Sequence, residues 1–246
     1  MFIIGVKKYL KFFLLVGLII LLISCKESKN SIIVVGIFPN FPPFEYLENG
    51  QLVGLDVDIM NLLAKKINKK VVFKQMQSIG IMFALQSNKI DAIISAMTIT
   101  AERKKQIDFT EPYFTSKQVI IVKKDDSGVK SVKDLQTKKI GVQLATTGDL
   151  FISNFTNNKV QFDSGAVAIM GLNAGRVDAV VIDKEPAVKL VKNYQNLKIL
   201  DILAVDESYG IAVNKNNNQL LNELNKALEE IKNNGELKRI EDKYFK

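Results

Sequence analysis

The chain reads as an α/β protein of two similar lobes that share a cleft, and three observations carry that reading. Short β-branched runs alternate with helix-periodic stretches along the body. Residues 85–94 (LQSNKIDAII) and 172–181 (LNAGRVDAVV) match in residue class at nearly every position. Each copy reads as a helix end, a basic turn and a strand buried on both faces. Polar residues follow both strands, Ser95, Thr98 and Arg103 after the first and Asp183 after the second. In open α/β sheets, ligands bind beyond strand ends of this kind. One repeat is too few for a solenoid; chance similarity between two parallel-sheet strands is the competing account.

The elements follow in order. Residues 32–37 (IIVVGI) form a buried strand that leaves through the Pro-rich segment 39–45, and Asn49-Gly50 marks a hairpin. Asp56 caps a helix whose Ile59, Met60, Leu63, Ala64 and Ile67 share one face. Residues 71–73 are the next strand, and a helix to about Ser87 leads into the first repeat strand. Thr100 caps a short helix through Lys105, residues 108–114 read as an extended crossing, and 119–122 as a strand. Residues 123–130 have the make-up of a surface loop. A strand at 140–142 leads into the helix start Thr146-Thr147-Gly148-Asp149, and the second repeat follows. After a strand at 209–213, a periodic helix from about Gln219 to Lys232 ends near Gly235, and a short helix closes the chain.

Ahead of this body, Lys7, Lys8 and Lys11 precede an apolar run at 12–23 and then Ser24-Cys25. That is the form of an export signal, and the run is shorter than the roughly twenty residues that span a bilayer. Leu22-Ile23-Ser24-Cys25 resembles the bacterial lipobox, in which the cysteine is lipidated and becomes the mature N-terminus. An uncleaved anchor helix is the alternative. The chain then divides into a signal at 1–24 and a lipidated tether at 25–31, with about 215 residues left for two lobes. Cys25 is the sole cysteine, so no internal disulfide can form. Without the three signal lysines the formal charge of +8 falls to +5. The remaining lysines are scattered and lack a basic-aromatic stripe, which argues against a nucleic-acid partner. A surface near anionic headgroups accounts for them.

The catalytic toolkit is thin. With no histidine, imidazole acid–base chemistry and histidine zinc sites are excluded. Gly-x-Ser-x-Gly and Walker sequences are absent. No catalytic residue, metal or cofactor is expected. The polar residues left suit a zwitterion, which needs a bidentate cation for its carboxylate and a carboxylate for its ammonium. Arg103, at the start of a short helix whose dipole favours an anion, can supply the first; it also fits a solvated surface position. Asp183 can supply the second or cap the helix beginning near Glu185. Thr146 and Thr147 can bind a carboxylate or cap their own helix, and Phe41 and Phe44 can face a ligand or the core.

Several motifs together resemble the bacterial solute-binding proteins of polar amino-acid ABC transporters. They are FPPFEY at 41–46, VGLDVD at 53–58, MTITAERKK at 97–105, IDFT at 107–110, Gly141-Val142-Gln143, Thr146-Thr147, GRVDAVVID at 175–183 and YGIAV at 209–213. The resemblance covers everything after the tether. It implies a two-lobed periplasmic-binding-protein-like fold of type II, with crossings near 113–117 and 205–209. Lobe 1 is then 32–112 with 209–246, and lobe 2 is 117–205. It also implies that Arg103 pairs with the substrate carboxylate, helped by Thr98 and the backbone near Ala96. Asp183 holds the α-ammonium, Thr146 and Thr147 close on the carboxylate, Phe41 stacks on the side chain, and Gln143 joins the ligand-binding set. Two positions depart from the family. Phe38 stands where basic-amino-acid and glutamine binders often place an aspartate, and Ser78 where a second large residue closes the pocket. The missing acid argues for a polar-uncharged or apolar substrate over arginine and lysine, unless Glu45 or another acid takes over.

The implied function is a monomeric receptor, exported and lipid-anchored on the outer face of the cytoplasmic membrane. It captures a free amino acid by hinge closure and delivers it to an ABC permease. An enzyme of prephenate or arogenate dehydratase type on the same fold is one alternative. A ligand-sensing partner of a signalling receptor is the other.

Overall fold

A computed structural model describes residues 31–203 and 205–245. The predicted signal, Cys25 and the tether before Ser31 lie outside these residues. The body forms two α/β lobes. Lobe 1 opens with β1 (Ile32–Ile37) and a small meander of β2 (Asn40–Phe41), β3 (Glu45–Glu48) and β4 (Gln51–Val53). Asn49 and Gly50 turn that hairpin with positive φ at both positions, as a type I′ turn requires. Next come α1 (Leu55–Lys66), β5 (Lys70–Gln75), α2 (Ser78–Gln86), β6 (Ala92–Ile93), α3 (Ala101–Lys104) and β7 (Ile107–Phe109).

The long β8 (Phe114–Lys123) crosses into lobe 2. There follow β9 (Ile140–Gln143), α4 (Thr147–Phe155), β10 (Lys159–Phe162), α5 (Gly165–Asn173), β11 (Ala179–Asp183), α6 (Lys184–Val191) and β12 (Leu197–Leu200). β13 (Asp206–Tyr209) returns to lobe 1, which β14 (Ala212–Asn214), α7 (Asn218–Asn233) and α8 (Glu236–Phe245) complete. Leu220, Leu224, Ala227, Leu228 and Ile231 line the buried stripe of α7, at the spacing of one helical face.

Both sheets follow one plan. Their orders are β5-β1-β6-β14-β7 and β10-β9-β11-β8-β12. In each, the first three strands are parallel and the later pairings antiparallel. The repeated segment occupies the same place in both lobes. The N–H of Lys89 bonds to Ala84 and that of Arg176 to Gly171, closing α2 and α5 alike. Asn88 and Gly175 take the left-handed conformation that such a helix end uses. Asp91 and Asp178 then accept the N–H of Val34 and Lys139, each at 2.8 Å, pinning the turn to a neighbouring chain segment. The residues match because both copies perform the same local closure.

The crossings form an antiparallel ribbon, with Phe114 opposite Tyr209 and Lys117 opposite Asp206. The Phe114 ring lies 5.0 Å from Phe44, 5.9 Å from Tyr209 and 5.1 Å from Phe245, so aromatic packing fills the hinge. Three local expectations are corrected. The strand expected at 209–213 is interrupted at Gly210-Ile211, with β13 ending at Tyr209 and β14 starting at Ala212. Residues 107–109 are a sheet strand, and the crossing starts only at Phe114. Asp56 does not cap α1; Gly54 holds that position, and Asp56 lies inside the helix with its side chain drawn to tertiary partners.

Candidate functional site

Between the lobes lies a cavity of about 190 Å³. Lobe 1 lines it with Phe38, Phe41, Glu45, Ser78, Ala96, Thr98 and Arg103, and lobe 2 with Gln143, Thr146, Thr147 and Asp183. Of the residues the sequence offered for the ligand, all but Phe44 border this one space.

Arg103 is fixed from both sides. Thr100 caps α3 by accepting the Arg103 N–H at 3.1 Å. The guanidinium donates to the Thr98 carbonyl at 2.9 Å and across the cleft to the Ala145 carbonyl at 3.4 Å. Burial lowers its pKa, while Glu207 and Asp183 oppose that shift, so it stays a cation held by distant acids. The expected help from a helix dipole does not apply, because α3 is a single turn of four residues.

Asp183 ends β11 and stands at the N-cap of α6 without making a capping bond. Its carboxyl instead accepts from Gln118 Nε2 and from the Tyr209 hydroxyl, both partners on the hinge ribbon. Gln118 also donates to Glu207 at 3.1 Å. Burial, then the Glu207 charge, pushes the Asp183 pKa up to about 8. An incoming ammonium would reverse that cause.

Thr146 does cap α4, its hydroxyl accepting from Asp149 N–H at 3.2 Å and donating to the Gln143 carbonyl at 2.8 Å. Thr147 opens the helix, where backbone N–H groups and the dipole favour an anion. Gln143 Oε1 accepts the Gly165 N–H at 2.9 Å, so this amide also caps α5. The cleft loops carry Ala96 and Ala145 with positive φ, a conformation that costs an L-residue about 1–2 kcal/mol. Each alanine N–H is caught by a helix aspartate, Ala96 by Asp56 at 2.7 Å and Ala145 by Asp149 at 3.1 Å. The Ala96 N–H is therefore engaged by Asp56, while Ala96 itself borders the cavity.

Phe44 is fully buried in the core, whereas Phe41 borders the cavity. The wall expected to be apolar from Phe38 and Phe41 also carries Glu45, a buried carboxyl that accepts from Ser95 Oγ at 2.8 Å. That removes the premise for disfavouring cationic side chains. Sequence reasoning missed Gln118 and Glu207. Gln118 has the local signal of a polar residue beside an apolar strand run, whereas Glu207 stands inside the polar run Asp206-Glu207-Ser208 and has none.

Two lobes, a ribbon hinge and a cleft with opposed charges define a two-lobed ligand receptor. The chain belongs to the bacterial extracellular solute-binding proteins, family 3, whose profile matches residues 33–246. It is 33% identical over 229 residues to the arginine-binding extracellular protein ArtP of Bacillus subtilis (strain 168), covering 90% of this chain and 89% of that one. Among solved structures, an ancestral arginine-binding protein bound to arginine is 45% identical with a TM-score of 0.84, over 88% of this chain and 99% of that one. An ancestral arginine-binding protein bound to glutamine is also 45% identical, with a TM-score of 0.82 over 87% and 98%. Among the described residues, no helix is long and apolar enough to cross a membrane.

Proposed function

We propose that this solute-binding protein captures a free amino acid in its cleft and hands it to an ABC permease. Arg103 takes the α-carboxylate, with Thr98 and the α4 start at Thr146 and Thr147, and Asp183 takes the α-ammonium. Phe38, Phe41 and Ser78 bound the side chain, and Glu45 meets its far end. One observation carries the reading: Arg103 and Asp183 border the same cavity from opposite lobes. A zwitterion bridging them also draws the lobes together. Glu45 favours a side chain that donates hydrogen bonds, basic or amide, and the arginine- and glutamine-bound relatives support that class. A thermal-shift panel of the twenty amino acids tests this, because ligand at 100 times Kd stabilises by about 2.7 kcal/mol. A flat panel refutes it.

The protein binds without chemical turnover in this reading, as its named relatives are binding proteins. Incubation with prephenate or arogenate should leave both unchanged. The receptor is monomeric, and the signal at 1–24 and the single cysteine support a lipid anchor at Cys25 on the outer face of the membrane. Two or more acyl chains anchor firmly, whereas one is marginal. Metabolic palmitate should label the wild type but not Cys25→Ala, and an unlabelled wild type refutes the anchor.

A further inference from the structure

Glu45 and Asp56 form a buried carboxyl pair with too few donors. Glu45 Oε1 accepts from Ser95, while Asp56 Oδ2 accepts the Ala96 N–H at 2.7 Å and the Tyr113 hydroxyl at 2.9 Å. Among the described residues, Glu45 Oε2 and Asp56 Oδ1 are buried and meet no N–H or hydroxyl donor. The Asp56 N–H donates to the Phe44 carbonyl at 2.9 Å, and the consecutive residues Ser95 and Ala96 hold one carboxyl each, so the two acids are set side by side. Two neighbouring buried carboxylate anions offer acceptors only, so a proton on one of them is needed to join the two oxygens left without donors. Glu45 borders the cavity and Asp56 does not.

We infer that Asp56 is a positioning residue for substrate selectivity. It shares one proton with Glu45, which presents a carboxylic acid to a neutral side chain and releases the proton to solvent when a cationic side chain binds. The inference rests on the amino-acid reading of the cleft. No covalent bond changes: Glu45–H with a guanidinium becomes the Glu45 carboxylate paired to that guanidinium, and one proton leaves. Asp56 stays an anion on its Ala96 and Tyr113 donors.

The surroundings favour this arrangement. Around the pair stand Tyr113, beside the first crossing, and Asp183 at the end of β11, while Arg103 borders the same cavity as Glu45. Burial, then Asp56, raises the Glu45 pKa well above the carboxylate range, with Asp183 adding and Ser95 opposing. Burial also lifts Asp56, while Ala96, Tyr113 and Glu45 hold it to about 6. Burial and both carboxyls keep the Tyr113 phenol protonated and donating. Asp58, further along α1, is engaged outside by Lys243 and Tyr244 at 2.7 Å.

Calorimetry with arginine and with glutamine, in buffers of different ionisation enthalpy, counts the protons released. Both ligands use Asp183 alike, so the difference isolates the side-chain end. Arginine should release close to one proton more than glutamine near neutral pH. The arginine-to-glutamine affinity ratio should rise about tenfold per pH unit while the pair holds its proton. Asp56→Asn keeps an oxygen for Ala96 and Tyr113 and offers Glu45 an amide donor. It should cancel the extra proton and flatten the ratio against pH. Equal proton counts for the two ligands in the wild type overturn the inference, as does an extra proton that persists in Asp56→Asn. If neither amino acid binds the wild type, the amino-acid reading fails and takes this inference with it.

Discussion

The phenol of Tyr209 donates to Oδ2 of Asp183, joining the last residue of the second crossing to the carboxyl at the end of β11. Tyr113, beside the first crossing, donates in the same way to Asp56 at 2.9 Å. Each lobe thus has a buried aspartate held by a tyrosine at the hinge. Lobe rotation about the ribbon would act directly on the donors of both acids.

Tyr209→Phe keeps the ring that packs on Phe114 and removes the donor to Asp183. Leaving a buried acceptor short of one partner costs about 1–3 kcal/mol. Amino-acid affinity at neutral pH should fall by roughly 5- to 150-fold on that scale. Calorimetry checks this, and an unchanged Kd would mean that Gln118 alone holds the carboxylate.

Arg103→Ala removes the cation expected to meet the ligand carboxylate. Unpairing a buried charge costs about 2–5 kcal/mol, so binding should weaken from about 30-fold to several thousand-fold. Arg103→Lys should recover little, because a lysine cannot span Thr98, Ala145 and a carboxylate with one planar fork. Binding within threefold of wild type for Arg103→Ala would assign the guanidinium to holding the lobes alone.

Asp183 also sets a pH dependence of stability. Its pKa of about 8 in the fold exceeds the ordinary 3.8. Between those values the folded chain holds a proton that the unfolded chain has released. The ligand-free protein should therefore lose stability as pH rises from about 4 towards 8. Asp183→Asn should flatten that slope. Urea melts across the window, with saturating amino acid as a second series, would contradict this if wild-type stability rises instead.

Gly54→Ala should destabilise the fold by about 2–4 kcal/mol. Gly54 has φ of 135°, and a Cβ there would sit 2.1 Å from the Phe44 carbonyl oxygen. The clash is with the backbone of Phe44 and Glu45, which sets one side chain in the core and the other at the cleft, so no side-chain rotation relieves it. Denaturant unfolding measures the loss, and a change under 0.5 kcal/mol would show that the turn can shift at little cost.

Much of the fold was legible along the chain. The apolar stripe of α7, the hairpin at Asn49-Gly50 and the cap at Thr100 each depend on neighbours within a few residues. The paired segments at 85–94 and 172–181 were readable for the same reason, since each closes a helix onto the start of a strand. Asp183 could be singled out because charge stands at the end of a strand run, and Arg103 because it follows the other strand within the same connection, where ligands bind in α/β sheets.

Other assignments depended on residues far apart in sequence. Asp56 has the local appearance of a helix cap, yet its partners Ala96 and Tyr113 lie 40 and 57 residues away. Gln118 reaches Glu207 across 89 residues, and Glu45 meets Ser95 across 50. Hydrophobic period and capping are decided within one or two turns of chain, so the sequence carried them openly. Burial of a carboxyl is decided by which distant donors the packed lobes bring to it, because an unpaired buried charge is too costly to keep. Only the tertiary structure could therefore distinguish the acid that caps a helix from the acid that shares a proton beside the cleft.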